Sequence, residues 1–262
     1  MLRIIRERLR QKYRTTGYPA GASPALPDRF LGAPVLPTQP CPAGCRECID
    51  ACPADALSLS AASRLTLDLG RCVFRGECTA QCPRKILSFS RDYRMSVRKR
   101  EHLAIGPQKL RLAESLGDEL RRHLGRALRL RQVSAGGCNA CEADANVLTT
   151  VGWDIGRFGI QFVASPRHAD GLLVTGPVTT NMRSALEKTY EAVPEPRIVI
   201  ASGACAISGG IYRESPSACG GVAGILPVDL FVPGCPPHPL TLLDGLLRLI
   251  GRTGRYSEIT PS

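Results

Sequence analysis

The sequence predicts an α/β domain with a parallel sheet, preceded by a small α+β unit that is rich in cysteine. Along the second half of the chain, apolar runs of strand length alternate with helix-like runs. This alternation is typical of a parallel sheet with helices on its faces. Seven of the twelve cysteines lie within residues 41–82, among short β-like runs. The 262 residues are enough for two such domains.

Composition narrows the class of protein. A hydrophobic fraction of 44% with 22% charged residues is typical of a folded chain. No apolar run reaches the roughly 18 residues that span a bilayer, and the first residues lack the apolar core of a signal peptide. We therefore expect a cytoplasmic protein, in which clustered cysteines indicate metal sites rather than disulfides.

The positive charge is concentrated in the first half of the chain. Residues 1–135 contain 25 Lys/Arg and 12 Asp/Glu, whereas residues 136–262 contain 9 and 11. A basic half favours an acidic partner: nucleic acid, anionic lipid or another subunit. We expect no nucleic acid, because no binding motif accompanies the charge and only 5% of residues are aromatic. There is also no P-loop and no G-x-G-x-x-G motif for a nucleotide.

The chain divides into four predicted segments: a basic amphipathic helix and connector (1–40), a cysteine-rich unit (41–97), a charged helical linker (98–128) and the α/β domain (129–262). The first helix, over residues 1–14, has an apolar stripe of Leu2, Ile5, Leu9 and Tyr13 among six Arg/Lys. It is either a solvated face or a helix that docks on a membrane subunit or anionic lipid.

Individual elements follow from local periodicity. Strands are predicted in the cysteine-rich unit at 57–60, 65–68, 86–90 and 93–97. Leucines at helical spacing predict the linker helix: Leu110, Leu116, Leu120, Leu124 and Leu128. In the α/β domain, strands are predicted at 128–133, 159–165, 171–176, 197–203 and 228–234, and helices at 181–193 and 239–251.

Three of these strands are followed by cysteines. Cys138 and Cys141 follow the first strand of the α/β domain, Cys205 follows the fourth and Cys235 the fifth. Loops at the carboxyl ends of parallel strands share one edge of the sheet, so four thiolates are expected to meet there. Glycines flank them: Gly136, Gly137, Gly203, Gly209, Gly210 and Gly234. Four thiolates suit zinc or an iron–sulfur cluster, and a single Cys-x2-Cys pair with two distant cysteines favours the cluster.

The same region resembles a known family. The runs GACAISGGIYRESPSACGG, LPVDLFVPGCPPHPLTLLDGLLRL, CNACEAD and FGIQFVASPRHADGLLVTGPVT are similar to the B subunit of respiratory complex I and to small subunits of membrane-bound nickel–iron hydrogenases. The resemblance covers roughly residues 110–252. It implies a flavodoxin-like domain that holds one 4Fe-4S cluster beside a large partner subunit.

One detail of the resemblance separates these relatives. Complex I subunits carry two adjacent cysteines at the first ligand position, whereas hydrogenase small subunits carry Cys-x2-Cys. This chain has Cys138-Asn-Ala-Cys141. The resemblance therefore implies that Cys138, Cys141, Cys205 and Cys235 hold the cluster proximal to a nickel–iron centre.

The cysteine-rich unit contains two related motifs. The first is Cys41-x3-Cys45-x2-Cys48-x3-Cys52-Pro, and the second is Cys72-x5-Cys78-x3-Cys82-Pro. Both approach the bacterial ferredoxin pattern C-x2-C-x2-C-x3-C-P. The second motif has Arg75 where its second cysteine is expected. Arginine is a poor ligand because its guanidinium stays protonated.

This unit resembles the two-cluster ferredoxin domains of complex I and formate hydrogenlyase. Crossed ligation then implies that one 4Fe-4S cluster is held by Cys41, Cys45, Cys48 and Cys82. Three thiols remain for a second site: Cys52, Cys72 and Cys78. Such a site holds a 3Fe-4S cluster or a second 4Fe-4S cluster with a foreign ligand, or it is vestigial.

Four further residues have two interpretations each. Cys219 is interpreted as a small buried residue rather than a fifth ligand. Glu142 is either a proton-relaying carboxylate at a partner interface or a hydrogen-bonding acid. His168 and His238 flank strand ends, where they either tune a cluster or serve the fold.

The expected function is electron transfer between a ferredoxin-type cluster and the nickel–iron site of a partner large subunit, with no catalytic residue in this chain. Expected partners are that large subunit, membrane subunits and a ferredoxin or dehydrogenase donor. The expected location is the inner face of the cell membrane, as a peripheral part of a complex. The alternatives are a complex-I-like oxidoreductase without nickel and a free ferredoxin-like carrier.

Overall fold

The structure is a computed structural model. It describes residues 2–12, 14–21, 23–106, 110–118, 122, 124 and 127–252. The strands are β1 (Pro34–Val35), β2 (Leu57–Leu59), β3 (Leu65–Asp68), β4 (Ser88–Phe89), β5 (Ala104–Ile105), β6 (Leu128–Ser134), β7 (Ile160–Phe162), β8 (Gly171–Thr175), β9 (Ile198–Ser202) and β10 (Leu230–Val232). The helices are α1 (Leu2–Gln11), α2 (Glu47–Asp50), α3 (Glu77–Gln81), α4 (Ala140–Val147), α5 (Thr180–Glu191), α6 (Ala204–Ser208) and α7 (Pro239–Leu249). Short 3-10 helices lie at Arg100–Leu103, Ile155–Phe158, Pro166–His168 and Gly210–Tyr212.

The second half of the chain forms a five-stranded parallel sheet in the order β10-β9-β8-β6-β7. Read from β6, this is the strand order of flavodoxin, which reverses direction between the first and third strands of the domain. All residues of β8 and β9 are buried, because helices cover both faces of a parallel sheet. The predicted α/β domain is confirmed.

The last helix, α7, packs inside the domain rather than on its surface. Ten of its eleven residues are buried, and Arg248 is the partly exposed one. A helix that is apolar all round needs cover on every side. Part of that cover comes from residues 93–97 and 113–116, where the Leu116 amide donates to the Leu249 carbonyl at 2.9 Å.

The cysteine-rich unit contains a three-stranded antiparallel sheet, β2-β3-β5, and a two-stranded pair, β1-β4. Its core of Leu65, Leu67, Leu69 and Leu103 is almost fully buried. This core is continuous with that of the α/β domain through Ile207. The two halves therefore share one apolar interior.

Hydrogen bonds reinforce this junction. The Ser208 hydroxyl donates to the Gly70 carbonyl at 2.8 Å. The Arg213 guanidinium donates to the Ala54 carbonyl at 3.1 Å and to the Asp55 carboxylate at 2.6 Å. The cysteine-rich unit thus packs directly against the segment that follows β9.

The Pro- and Gly-rich connector after α1 forms a strap over the α/β domain. The Thr16 amide donates to the Gly152 carbonyl at 2.8 Å. The Arg157 side chain donates to the carbonyls of Thr16 and Tyr18, both at 2.6 Å. The Tyr18 hydroxyl reaches the buried Asp244 carboxylate at 3.2 Å. The predicted irregular connector therefore has a defined path.

Two local predictions differ from the structure. Residues 93–97 form no strand; Val97 makes only an isolated bridge to Phe231, because this segment passes between the two halves. In the predicted helix over 98–128, Arg100–Leu103 form a 3-10 turn and Ala104–Ile105 pair with β3. The sheet of the small unit takes up Ala104 and Ile105. Residues 110–117, which carry Leu110 and Leu116, are not helical, because the amides of Ala113 and Leu116 donate to distant carbonyls instead, and Leu128 begins β6.

Some predicted features fall outside the described residues: Met1, Tyr13, Leu120 and residues 253–262. The observed helix α1 lies within the predicted range 1–14. Within the described parts of the chain, no helix is long and apolar enough to cross a membrane.

We predict that Gly245→Ala destabilises the fold. A Cβ at this position would lie 2.8 Å from the Ser96 Cβ and would overlap the Ser96 hydroxyl. Overpacking of this kind costs about 1–3 kcal/mol. Denaturant unfolding followed by circular dichroism measures the change. Gly152→Ala is the matched control, because nothing lies within 4 Å of its Cβ position. Equal midpoints for the two variants would contradict the prediction.

Candidate functional site

The carboxyl edge of the parallel sheet carries the four cysteines predicted to meet there. Cys138 and Cys141 lie between β6 and the first turn of α4. Cys205 lies in α6, directly after β9, and Cys235 lies in the loop between β10 and α7. The parallel strand directions place all three segments at one edge.

Glycines allow these segments to approach one another. A Cβ on Gly203, where φ is +91°, would lie 2.6 Å from the Cys141 sulfur and 3.5 Å from the Gly234 carbonyl oxygen. A Cβ on Gly210 would lie 2.9 Å from the Cys205 sulfur. The Ala204 amide donates to the Gly234 carbonyl at 2.9 Å. The segment after β9 thus contacts both the segment that carries Cys141 and the loop that carries Gly234.

The electrostatics of the thiols show that they are close. Burial, and then the nearby charges of Cys205, Glu142, Cys235 and Cys138, together raise the pKa of Cys141 to about 12. Burial and then Cys235 and Cys138 raise the pKa of Cys205 to about 11. Without a metal, these thiols keep their protons at neutral pH.

The cysteine-rich unit brings a second group of thiols together. Burial raises the pKa of Cys48 to about 11, followed by the effects of Cys82, Cys41 and Cys45. The Cys45 thiol, at the surface, donates to the Glu47 carboxylate at 3.0 Å. The four cysteines predicted to form the complete ferredoxin-type site therefore lie near one another: Cys41, Cys45, Cys48 and Cys82.

Cys82 differs from the other thiols of this group. Burial acts to raise its pKa, but the backbone N–H groups that follow it outweigh burial and lower the pKa. The amides concerned are those of Ile86, Leu87, Arg84 and Lys85. Sequence reasoning missed this amide cradle, although a Cys-Pro followed by a turn is its visible signal.

The remaining three cysteines are affected by thiols of both other groups. The pKa of Cys72 is raised to about 12 by burial and then by Cys78, Cys52 and Cys235, while the Phe74 amide acts to lower it. Burial and then Cys52 raise the pKa of Cys78. Because Cys72 is affected by Cys235, this three-thiol group lies beside the edge of the parallel sheet.

Arg75 is not directed into a closed site. Its guanidinium pairs with the Glu77 carboxylate at 2.6 Å, and 59% of its side chain is exposed. The next residue, Gly76, has a φ of +83° and begins the turn into α3. The position where the motif lacks a thiol is therefore held at the surface by an ion pair.

Glu142 is a buried, hydrogen-bonded acid. Its Oε1 accepts a hydrogen bond from the Thr175 hydroxyl at 2.5 Å. Its Oε2 is buried, with no hydrogen-bond partner among the described residues. The residue lines an open cavity of about 530 Å³ between α4 and α5, together with Arg131 and Asn146. The role as a hydrogen-bonding acid is confirmed, and the proton relay stays a prediction.

Of the other three candidates, His238 and Cys219 have contacts within the fold, whereas His168 lies away from its predicted place. His238 caps α7, accepting a hydrogen bond at Nδ1 from the Leu240 amide at 3.1 Å. Cys219 is half-buried against the shared core. The placement of His168 near the cysteines was wrong: it precedes β8 and lies at the amino edge, because strand direction puts the cysteines at the opposite edge.

The donor set fits iron–sulfur clusters. In the described chain, no three side chains of His, Cys, Asp or Glu gather tightly enough for a single metal ion. The fit rests on the sulfur donors, which are the ligands of such clusters. It rests also on the missing side chains of Gly203 and Gly210, which leave room beside two of the sulfurs.

Comparison with known proteins shows the family of this chain. The family described as "NADH ubiquinone oxidoreductase, 20 Kd subunit" matches residues 138–249. The "Probable membrane-bound hydrogenase subunit mbhJ" of Pyrococcus furiosus is 44% identical over 145 residues, 55% of this chain and 87% of that protein. The chain belongs to this family. It is therefore an oxidoreductase subunit, and the resemblance and the flavodoxin-like fold are both confirmed.

Two further relatives show the breadth of the family. Formate hydrogenlyase subunit 7 of Escherichia coli is 42% identical over 137 residues, 52% of this chain and 54% of that protein. An NADH-quinone oxidoreductase subunit of Geotalea daltonii is 48% identical over 102 residues, 39% of this chain and 59% of that protein. Hydrogenase and quinone-reductase subunits are thus both among its relatives.

We predict that Gly203→Ala lowers the iron content of the protein. The added methyl group would displace the Cys141 sulfur, which lies 2.6 Å from the Cβ position. Gly220→Ala is the matched control: it also has a positive φ, +72°, but nothing lies within 4 Å of its Cβ position. Iron per chain, measured by elemental analysis, should fall only in the first variant. Equal losses would assign the effect to backbone strain instead.

Proposed function

We propose that this chain is the iron–sulfur electron-transfer subunit of a membrane-associated nickel–iron hydrogenase complex. The observation that carries the proposal is the Cys138-Asn-Ala-Cys141 pair, placed with Cys205 and Cys235 at the carboxyl edge of a flavodoxin-type sheet. A membrane-bound hydrogenase subunit is among the relatives that this chain covers almost completely.

Three groups of thiols would hold the clusters. The proximal 4Fe-4S cluster is assigned to Cys138, Cys141, Cys205 and Cys235. The ferredoxin-type 4Fe-4S cluster is assigned to Cys41, Cys45, Cys48 and Cys82. The incomplete site, which would take a 3Fe-4S or a second 4Fe-4S cluster, is assigned to Cys52, Cys72 and Cys78. Such clusters, when bound, accept and release single electrons.

The chain's own contribution is spacing and exclusion of water. Cys48 lies near Cys78 as well as near its own group, and Cys72 lies near Cys235. These links support an order in which the incomplete group stands between the other two. The apolar core shared by both halves includes Cys48, Cys72 and Cys82 and keeps water from these buried thiols. Burial and nearby charge would set the potentials.

The partners follow from this placement. Cys138 and Cys235 are exposed, so the edge that carries them is open to a large subunit. We assign the nickel–iron site to that large subunit. Membrane subunits would anchor the complex to the inner face of the cell membrane, and a ferredoxin or a dehydrogenase would exchange electrons with the cysteine-rich unit.

A second candidate function is electron transfer in a complex-I-like oxidoreductase without nickel. The 48% identity to an NADH-quinone oxidoreductase subunit favours it. The Cys-x2-Cys pair favours the hydrogenase instead. A free ferredoxin-like carrier would be purified without partners.

Purification of the intact complex tests the proposal. Elemental analysis should find nickel with the large subunit and iron with this chain. Cys205→Ala should reduce the iron held by this chain and weaken its assembly with the large subunit. Iron without nickel in an active complex would support the second function. Full iron and normal assembly in the variant would contradict the site assignment.

We predict that Arg75→Cys increases iron per chain or converts a three-iron signal into a four-iron signal. The substitution supplies a thiol at the position where the second motif lacks one. Arg64→Cys is the control, because it adds a thiol on the exposed turn between β2 and β3. Electron paramagnetic resonance and iron counting on the full chain measure the change. Two complete four-iron clusters in the unmutated cysteine-rich unit would refute the interpretation of Arg75 as a lost ligand.

We predict that Arg213→Gln weakens the junction between the two halves and slows electron exchange across it. The variant loses the hydrogen bond to Ala54 and the ion pair with Asp55. Because Asp55 is largely exposed, the stability cost is about 1 kcal/mol. Iron content should not change. Arg183→Gln, which breaks an ion pair on the surface of α5, is the control. Freeze-quench electron paramagnetic resonance after a reductant pulse follows the exchange, and identical rates in both variants would contradict the prediction.

A further inference from the structure

Helix α1 presents an uncovered apolar stripe. None of its residues is buried. Leu2, Ile5 and Leu9 recur at helical spacing, and their exposed fractions are 85%, 56% and 73%. Since exposed leucine and isoleucine gathered on one side of a helix mark an interaction site, this stripe needs an apolar environment.

Arginines border the stripe on both sides. At 100° per residue, Arg6 and Arg10 lie along one flank and Arg8 lies along the other, whereas Arg3 and the exposed Ile4 lie farther round the helix. Glu7, on the side opposite the stripe, pairs with Arg10 at 3.7 Å. The edges of the apolar stripe are therefore cationic, whereas the acidic residue faces away.

A further exposed apolar residue, Val151, lies beside the segment that follows this helix. The strap that follows α1 is attached to the turn at 149–153: the Thr15 hydroxyl donates to the Val151 carbonyl at 3.1 Å. The Val151 side chain is 73% exposed. Arg157 holds the same strap through the Thr16 carbonyl. The strap therefore ties the start of the chain to an apolar point on the α/β domain.

We propose that α1 and the turn at 149–153 form one surface that lies on an anionic lipid bilayer. The apolar side chains would enter the boundary between headgroups and acyl chains, while the flanking arginines bind lipid phosphates. The proposal deepens the membrane association stated above, because it assigns direct lipid contact to this chain. It also orients the α/β domain, since the strap attaches that domain to the same surface.

Charge distinguishes this surface from the other exposed apolar residues of the described chain. Ile211 and Tyr212 are 58% and 46% exposed, but the adjacent Arg213 is engaged with Ala54 and Asp55. That patch suits a protein partner. The stripe of α1, with cations on both flanks, is complementary to a flat anionic surface.

Vesicle flotation tests the proposal on the full chain with its native metal content. The probes are vesicles of phosphatidylcholine alone and of equal parts phosphatidylcholine and phosphatidylglycerol. We expect binding to the mixed vesicles only, decreasing with salt, because exposed charges are screened within about 10 Å at 0.1 M. Arg6→Gln should weaken binding roughly fivefold.

The apolar part has its own variants. Leu9→Gln and Val151→Ser should each weaken binding roughly threefold or more, since each removes buried apolar groups from the lipid boundary. Val35→Ser is the matched control, because Val35 is also an exposed valine, 52%, but lies on β1 of the cysteine-rich unit. It should bind like the unmutated chain.

Three results would overturn the proposal. The first is that the unmutated chain fails to bind the mixed vesicles. If variants of α1 then release the chain from the purified membrane complex, α1 binds a protein rather than lipid. Equal weakening by Val35→Ser and Val151→Ser is the second. The third is that variants of α1 weaken binding while Val151→Ser does not. The α/β domain would then not be part of the lipid-binding surface. None of these results bears on nickel or on electron transfer, so the proposed function stands or falls separately.

Discussion

The rest of the structure depends on the shared carboxyl edge of β6, β9 and β10. Cysteines separated by up to 97 positions in the chain, from Cys138 to Cys235, become neighbours only because these strands run in one direction. The approach is completed by Gly203, whose missing side chain leaves space for the Cys141 sulfur. The parallel direction of the strands brings the cysteines to one edge, and the absence of a side chain at Gly203 allows its backbone to contact the Cys141 sulfur.

The buried thiols are neutral in the metal-free chain, and burial opposes their ionisation. Cys48, Cys72, Cys141 and Cys205 all have pKa values of about 11 or 12, so each is protonated at neutral pH in the metal-free chain. Iron binding has to displace those protons, which couples cluster assembly to pH. By contrast, backbone amides lower the pKa of Cys82 and stabilise its thiolate in advance. Loading a cluster would therefore require deprotonation of the buried thiols, with Cys82 the easier one to ionise.

The two halves of the chain are joined by packing rather than by a linker. Ile207, from the segment after β9, belongs to the same apolar core as the leucines of β3. Ser208 and Arg213, from that segment and the turn after it, are hydrogen-bonded to the cysteine-rich unit. The segment that carries Cys205 therefore also fixes the distance to the ferredoxin-type thiols. The strap adds a tether on another side of the α/β domain.

The sequence by itself determined the elements whose periodicity is local: the strands of the parallel sheet, the helices α5 and α7, and the three strands that lead into cysteines. Motif spacing alone also separated the cysteines of the small unit from the four of the α/β domain. Only the tertiary structure decided the course of residues 93–105. Val97 pairs with Phe231, and Ala104–Ile105 pair with β3, and both partners are distant in the chain. The tertiary structure likewise decided that His168 lies at the opposite edge, and that Arg213 joins the two halves. Contacts of this kind depend on which surfaces face each other, and periodicity along one segment carries no information about that.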